Sequence, residues 1–362
     1  MRSFALRWIG IGIVSLIVLV GFIPSWERAL ARRGWIADQY RFGDLYNMTN
    51  IARFKEHTFK ETDQLDSTDL PAVKEAGVHL YTIGDSFTDI DTAFYPAEKN
   101  VHVWIGNGRQ AIKLDSTKRN VLVIQIIERV LQERFRDHSW QLYATNALVD
   151  SSRIKPPAPK PTTWVGNLLN TRFGSDLNSR LEFMLFNNNI ALKAKELKAG
   201  FMLDWFDRTA GARLSANKQH AFYDAETDTT QQLSSFRHIR EQDIDAVVKH
   251  LNYVTDYYRK LGFQEIYLTL IPNKSTVLAP TLGVYNHQIE RIERHPDLQP
   301  TVISTINTIR QHPDWYHLGD GHWNKQGRRY WLGIVNNLVR TPTCLMADRG
   351  TTTGLDKQTG RQ

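Results

Sequence analysis

Four short apolar runs, rich in β-branched residues, constrain the fold of this chain more than any other feature of its sequence. Each run is five to seven residues long and is followed by glycine, glutamate or proline. Apolar runs of this length are typical of strands that are buried on both faces of a parallel sheet. The predicted strands cover residues 78–83, 101–105, 121–127 and 265–271.

Helical periodicity places a helix directly before the last of these strands. Between Ile244 and Leu261, apolar residues recur at spacings of three and four, and Gly262 can cap the C-terminus of this helix. A second helix is predicted after Asn324, a residue type that favours the N-cap position. Helices that alternate with buried strands indicate an α/β fold with a parallel sheet.

The rest of the chain divides around this α/β pattern. The prolines of residues 156–161 break it, and a helical stretch is predicted at about 177–207. We therefore expect one main domain over residues 34–344, with a helical insertion at about 155–240. The last residues, 345–362, have few apolar side chains to bury and are predicted to be a disordered tail.

The first 33 residues are predicted to be a membrane anchor or a signal segment. An almost unbroken apolar run covers residues 8–23 and follows two arginines. An Ala-x-Ala motif at residues 29–31 follows Glu27 and Arg28, and charges at this place disfavour cleavage. We therefore expect one uncleaved N-terminal transmembrane helix rather than a cleaved signal peptide.

Charge and cysteine content exclude several classes of function. The net charge is +7, but the basic residues are spread along the chain, and the sequence has no zinc finger, RNA-recognition motif or basic helix. We therefore expect no nucleic-acid partner. Cys344 is the single cysteine, so the chain has no internal disulfide and no cysteine-based metal site.

Chemistry is first suggested by Ser86, which follows the first predicted strand in the sequence Ile83-Gly84-Asp85-Ser86. A serine at a strand-to-helix turn presents its hydroxyl at the carboxyl edge of the sheet, where open α/β folds bind their ligands. The hydroxyl is a weak nucleophile and needs an adjacent base.

A base is available in the segment Asp320-Gly321-His322, which precedes the last predicted helix. In an extended backbone, side chains two residues apart point to the same side. The Asp320 carboxylate can then hold Nδ1–H of His322 and leave Nε2 free to take the serine proton. The alternatives are a surface Asp–His pair or part of a metal site that includes His317. We predict a Ser86–His322–Asp320 triad and no metal site.

The two motifs together, GDSFTD and DGHWNKQG, resemble the SGNH (GDSL-type) hydrolase superfamily. Asp-x-His-Trp-Asn is more narrowly similar to the branch that resembles alginate O-acetyltransferases, and so are the segments that contain Glu128-Arg129 and Ile271-Pro272-Asn273-Lys274. The resemblance implies a three-layer α/β/α sandwich and no cofactor. It differs in two respects. The serine precedes the Asp-x-His segment, unlike in the alginate enzymes, and residues 126–129 replace the usual oxyanion-hole asparagine.

The missing asparagine leaves the oxyanion hole open to several candidates. The backbone N–H of Ser86 is one donor, and N–H groups of Gly106 or Gly108 or the Asn107 side chain can supply another. Substrate-binding candidates are Arg129, Lys274 and Trp323. Each has an alternative role: a salt bridge of Arg129 with Glu128 or Glu133, a structural role for Lys274, and core packing for Trp323. Trp104 is a further candidate for sugar stacking.

The resemblance implies transfer of an acetyl group to a cell-envelope polysaccharide through an acetyl-serine intermediate. A membrane-bound acetyl exporter is then a candidate partner, because the donor must reach the enzyme outside the cytoplasm. A carbohydrate esterase is the first alternative, and a non-catalytic polysaccharide-binding protein is the second.

This chemistry decides the expected orientation at the membrane. Arg28, Arg32 and Arg33 follow the apolar run and, by the positive-inside rule, oppose export of the rest of the chain. Polysaccharide acetylation outside the cytoplasm requires export. We therefore expect a single-pass protein of the inner membrane, with its catalytic domain on the periplasmic side.

Overall fold

A computed structural model describes residues 2–22, 26, 29–30, 33, 42–56, 65–105, 109–137, 139–151, 181–182, 185–279 and 281–341. The chain divides into two compact units, which we name the N-terminal unit and the sheet unit. The N-terminal unit comprises Met1–Glu61, Pro156–Ala221 and Leu318–Gly321. The sheet unit comprises Thr62–Lys155, Phe222–His317 and His322–Gln362.

The described segments contain both helices and strands, so the fold class is mixed α/β. The strands are β1 (Glu75–Gly84), β2 (Ala97–Trp104), β3 (Gln110–Ile112), β4 (Arg119–Ile127), β5 (Leu148–Asp150), β6 (Ala212–Leu214), β7 (Ala221–Tyr223), β8 (Glu265–Ile271) and β9 (Thr301–Val302). The helices are α1 (Arg2–Phe22), α2 (Asp44–Thr49), α3 (Leu131–Phe135), α4 (Asn189–Phe206), α5 (Asp224–Thr227), α6 (Glu241–Leu261), α7 (Lys274–Leu278), α8 (Gln288–Glu293), α9 (Ile306–Gln311) and α10 (Lys325–Arg340).

A five-stranded parallel sheet, in the order β2-β1-β4-β8-β9, is the core of the sheet unit. Each of the four predicted strands lies within or overlaps one of its strands, which confirms the parallel sheet. Strands β4 and β8 are buried over almost their full length, as expected for strands of a parallel sheet whose two faces are both covered. This arrangement is consistent with an α/β/α sandwich.

The sequence pattern missed the shorter strands. β9 contains two residues, and β3 and β5 form a separate two-stranded parallel pair of three residues each. Segments this short carry too few residues to show a periodicity, so only their pairing partners identify them as strands.

The two predicted helices of the sheet unit are confirmed. Helix α6 ends at Gly262, whose φ of 111° lies in the left-handed region, and the Gly262 N–H donates to the carbonyls of Tyr258 and Arg259. Its buried face follows the predicted period, from Ile244 to Tyr258. Helix α10 begins after Asn324, whose side chain accepts hydrogen bonds from the N–H groups of Gln326 and Gly327.

The N-terminal unit contains α1, α2, α4 and β6. Helix α4 lies within the stretch that was predicted to be helical. Helix α1 exposes large apolar side chains, which are Trp8, Ile9, Ile11, Ile13, Val14, Leu16 and Leu19. Among the residues that the structure describes, no helix combines the length and the apolar character needed to cross a membrane, so the predicted transmembrane helix lacks structural support. The predicted linker at 156–161 and tail at 345–362 lie outside the described residues.

Candidate active site

The order of the five strands indicates where a ligand site is expected in the sheet unit. In chain order, the strands of this sheet are arranged 2-1-3-4-5, so the direction of winding reverses between β1 and β4. Open α/β sheets bind ligands at the carboxyl ends of the strands that flank such a switch point. Ser86 follows the end of β1, and Arg129 follows the end of β4.

The turn that carries Ser86 is held by its neighbours in the sheet. A Cβ atom at Gly84 would lie 2.3 Å from Thr88 Oγ1 and 2.6 Å from Gln125 Oε1, so only glycine fits here. Gln125 Oε1 accepts hydrogen bonds from the N–H of Asp85 at 2.9 Å and from the Thr88 hydroxyl at 3.1 Å. The turn is therefore tied to β4, the adjacent strand.

The predicted nucleophile and base are in hydrogen-bond contact. Ser86 Oγ and His322 Nε2 are 2.5 Å apart, and both residues are partly buried. The Phe87 ring packs on the imidazole, with ring centroids 4.7 Å apart. Because Nε2 faces the hydroxyl, the imidazole has the orientation that a general base needs.

The backbone on both sides of His322 restrains this imidazole. The N–H of His317 donates to the carbonyl of His322 at 3.1 Å, and Tyr316 forms an isolated antiparallel bridge with Trp323. Gly327, in the first turn of α10, lets this turn pack closely against Trp323, because a Cβ atom at position 327 would lie 2.7 Å from Trp323 Cβ. His322 thus directly precedes the bridge residue Trp323 and the N-cap residue Asn324, and both restrain the backbone that carries the base.

The third predicted member of the triad, Asp320, belongs to the N-terminal unit and is 1% exposed. Its Oδ2 accepts a hydrogen bond from the backbone N–H of Asp44, the first residue of α2, at 2.7 Å. The N–H of Tyr46 donates to the carbonyl of Gly319 at 3.0 Å, which holds the same segment. Asp320 precedes His322 by two residues, so their Cα atoms can be at most about 7 Å apart.

Asp44 also bears on the metal question. Carboxylate oxygens of Asp44 and Asp320 lie within 4.8 Å of each other, a spacing at which two acids can bind a cation. The hydrogen bond from the backbone N–H of Asp44 is a second way to stabilise the buried Asp320 carboxylate, and it requires no cation. The prediction that the site needs no metal stays a prediction.

Arg129 forms a salt bridge, but not with the partners that the sequence suggested. Its Nη1 lies 2.8 Å from Glu226 Oε1, rather than pairing with Glu128 or Glu133, and its guanidinium lies over the Tyr223 ring at 5.4 Å. Burial opposes the charge, but attraction from Glu226, with a contribution from Asp85, raises the pKa of Arg129 above its ordinary value. The guanidinium is therefore a fixed cation beside the switch point.

Behind Arg129 lies a buried carboxyl group, Glu128. Its Oε2 accepts hydrogen bonds from the N–H of Asn273 at 2.9 Å and from the Thr276 hydroxyl at 2.5 Å. Burial raises the pKa of Glu128 to about 7, despite these hydrogen bonds. Lys274 is 1% exposed, which favours the structural role that was its alternative.

The remaining candidates have different outcomes. Trp323 is 1% exposed and packs edge-to-face on Phe87, which favours core packing, the alternative to its substrate-binding role. Trp104 is half-buried at the end of β2. The oxyanion candidates Gly106, Asn107 and Gly108 lie outside the described residues.

Three residues of the site were missed at the level of sequence. Gln125 had a visible signal, because it is the only polar residue in an otherwise apolar strand, VLVIQII. Asp44 acts through its backbone N–H, which every residue except proline has, so no sequence signal could identify it. Glu226 lies in a polar stretch without periodicity, and only the fold brings it to Arg129.

Comparison with protein-family models, with curated proteins and with solved structures finds no match to this chain in any of the three sets. The resemblance to SGNH hydrolases therefore depends on the short motifs alone. Any functional assignment has to start from the Ser86–His322 contact and the groups around it.

Proposed function

We propose that this protein is a serine-dependent acyltransferase of the SGNH type, which moves acetyl groups onto a cell-envelope polysaccharide. The 2.5 Å contact between Ser86 Oγ and His322 Nε2, at the switch point of a parallel sheet, is the observation that carries the proposal. The strand order and the consistency of the fold with an α/β/α sandwich also support it.

In the first half of the reaction, His322 Nε2 takes the proton of Ser86 as the hydroxyl oxygen attacks the carbonyl carbon of an acetyl ester. Asp320 orients the imidazole and stabilises its positive charge. The negative oxygen of the tetrahedral intermediate needs N–H donors, and the backbone N–H of Ser86 is the first candidate. When the intermediate collapses, the donor alcohol leaves with the proton from His322, and acetyl-Ser86 remains.

In the second half, a sugar hydroxyl takes the place of the departed alcohol. His322 removes the hydroxyl proton, the sugar oxygen attacks the acetyl carbonyl, and the ester bond to Ser86 breaks. Ser86 regains its proton from His322. Arg129 is placed to bind an anionic part of the donor or acceptor, because Glu226 and Tyr223 hold its guanidinium at the edge of the sheet.

Two other functions use the same fold. In an esterase, water resolves the acetyl-serine, and every residue named here keeps its role. A non-catalytic polysaccharide-binding protein needs no contact between a serine and a histidine, so the Ser86–His322 distance favours an enzyme. We place the enzyme on the periplasmic side of the inner membrane, with residues 1–33 as tether and a membrane-bound acetyl exporter as donor, on the sequence pattern alone.

The experiment that separates these functions follows acetate and acetylated polymer from one donor ester. A transferase must exclude water and hold its acceptor close to the acetyl-serine. With 4-nitrophenyl acetate alone, we expect slow release of nitrophenol and acetate. With an envelope polysaccharide present, nitrophenol release should be faster, and radiolabelled acetyl groups from the donor should appear on the polymer.

The Ser86→Ala variant is the control for non-enzymatic acetylation. Fast hydrolysis that no polysaccharide changes, without labelled polymer, would identify an esterase. Polysaccharide binding without any turnover of the ester would identify a binding protein.

A further inference from the structure

Helix α4 of the N-terminal unit exposes a stripe of large apolar side chains. Ile190, Leu197, Phe201 and Trp205 are 83%, 77%, 53% and 76% exposed, which is unusual for residues of this size. Their spacings of seven, four and four residues place them on one face of the helix. We name this face the α4 stripe.

The opposite side of α4 holds the helix in its unit. Leu192 and Leu203 are buried on that side. Glu196 accepts a hydrogen bond from the Tyr46 hydroxyl at 2.7 Å and forms a salt bridge with Lys55 at 2.8 Å. The α4 stripe is therefore not part of the packing that keeps the helix in place.

A basic pocket lies along the same helix. It has a volume of about 460 Å³, and its lining combines apolar side chains such as Ile51 and Met202 with the cations of Lys195, Lys198 and Arg208. Among the described residues, those that line this pocket include no aspartate and no glutamate. Lys195 donates to Asn187 at 3.2 Å, whereas the Lys198 and Arg208 side chains make no ion pair with any described residue.

We infer that α4 lies in the plane of an anionic lipid bilayer, with the α4 stripe among the acyl chains and a phosphate headgroup in the basic pocket. Helices that lie in a membrane interface combine a Trp- and Phe-containing apolar face with basic residues on the polar side. Lys198 follows Leu197 directly, so a membrane that covers the stripe brings its headgroups to the pocket. Long basic side chains can reach such headgroups from the edge of an apolar face.

Charge complementarity favours lipid over a second copy of the chain. An antiparallel symmetric pair of α4 stripes would bring Lys198, near the middle of the helix, towards Lys198 of the other copy, without acids among the pocket residues to compensate the two charges. An anionic bilayer offers both the apolar layer and the negative charge. The inference is independent of the catalytic proposal, and it adds a membrane contact to the tether suggested for residues 1–33.

A fluorescent probe on the stripe tests the inference in the full chain. Ala194 is exposed and lies on the same face as the stripe, so Ala194→Cys in a Cys344→Ser background accepts an environment-sensitive label without removing a large apolar residue. The matched control is Gln242→Cys, an exposed position of α6 in the sheet unit. Both proteins are reconstituted into vesicles of phosphatidylcholine, with or without phosphatidylglycerol.

With phosphatidylglycerol present, we expect a blue-shifted emission and quenching by spin-labelled lipid for the label at position 194 and neither effect at position 242. The double variant Lys198→Gln with Arg208→Gln should reduce the quenching at position 194. We expect each lost charge to lower the affinity of the protein for the anionic vesicles by about fivefold. The inference is overturned if both positions respond alike. It is also overturned if the label at position 194 shifts with protein concentration instead of lipid, since a second copy would then cover the stripe.

Discussion

Ser86 Oγ and His322 Nε2 lie 2.5 Å apart, although 236 positions separate the two residues along the chain. One residue is positioned by the end of β1 and by Gln125, and the other by the backbone that leads into α10. Two independent parts of the sheet unit thus bring a hydroxyl and an imidazole into the geometry of a nucleophile and its base.

Loss of either member of this pair is expected to abolish turnover. Ser86→Ala and His322→Ala should each lower kcat for 4-nitrophenyl acetate by about 10³-fold or more, and the double variant should be no worse than the singles, because the pair acts as a unit. Initial rates measure the effect, and unchanged thermal unfolding shows that the fold is intact. Full activity of Ser86→Ala protein would refute the nucleophile assignment.

Replacement of Asp320 by Asn tests its role towards His322. The amide cannot hold the imidazole in the tautomer that the reaction needs, so we expect a loss in kcat at neutral pH that is smaller than the loss in Ser86→Ala. Asp44→Asn is the matched control, because the donor to Asp320 is the backbone N–H, which this change keeps. If the paired carboxylates act by binding a cation instead, Asp44→Asn and treatment with EDTA will both lower kcat.

Glu128 predicts a pH dependence of stability. Burial raises its pKa from 4.5 to about 7, so the folded protein binds this proton more tightly than the unfolded chain does. The resulting stabilisation is complete below about pH 4.5 and is lost as the pH rises to about 7, by on the order of 3 kcal/mol. Glu128→Gln cannot titrate and should lack this loss.

Urea unfolding of both proteins at pH 5, 6, 7 and 8 measures the Glu128 effect as a difference. The free energy of unfolding of the wild type should fall relative to that of Glu128→Gln across this range. Parallel curves for the two proteins would mean that the buried carboxyl keeps an ordinary pKa.

Arg119 predicts a loss of stability without loss of activity. Its guanidinium donates to both carboxylate oxygens of Glu265, at 2.5 and 2.7 Å, and to the carbonyls of Leu338, Val339 and Thr341 at the end of α10. A lysine cannot make this fork, so Arg119→Lys should cost roughly 1.5–3 kcal/mol in the free energy of unfolding.

The position of Arg119 supplies the controls for this prediction. Arg119 lies at the amino end of β4, whereas Ser86 lies at the opposite edge of the parallel sheet, after the carboxyl end of β1. We therefore expect no change in kcat. Lys118 pairs with Glu98 in a more exposed salt bridge, and Lys118→Gln should cost less than about 1 kcal/mol. A fall in kcat of Arg119→Lys at a temperature where it stays folded would contradict this separation.

Local sequence determined the parts of the protein whose causes are local. Continuous apolar runs indicate the buried strands. A period near 3.6 and the capping residues Gly262 and Asn324 indicate helices α6 and α10. Ser86 could be predicted as a site residue because a strand end and a glycine define its turn. The orientation of Asp320 towards His322 stays a prediction, because residues 318–322 form bends rather than the extended backbone from which it was argued.

Only the tertiary structure determined the features that depend on residues distant in the sequence, which are ion-pair partners, burial and backbone hydrogen-bond donors. Arg129 pairs with Glu226, 97 positions away, instead of with its sequence neighbours, because the fold brings α5, which contains Glu226, to the end of β4. Trp323 is in the core, since Phe87 and Gly327 close around it. Asp320 is held by a backbone N–H of Asp44. A backbone donor has no residue type of its own, and the burial of a side chain depends on its neighbours in space, so neither can be read from the order of residues along the chain.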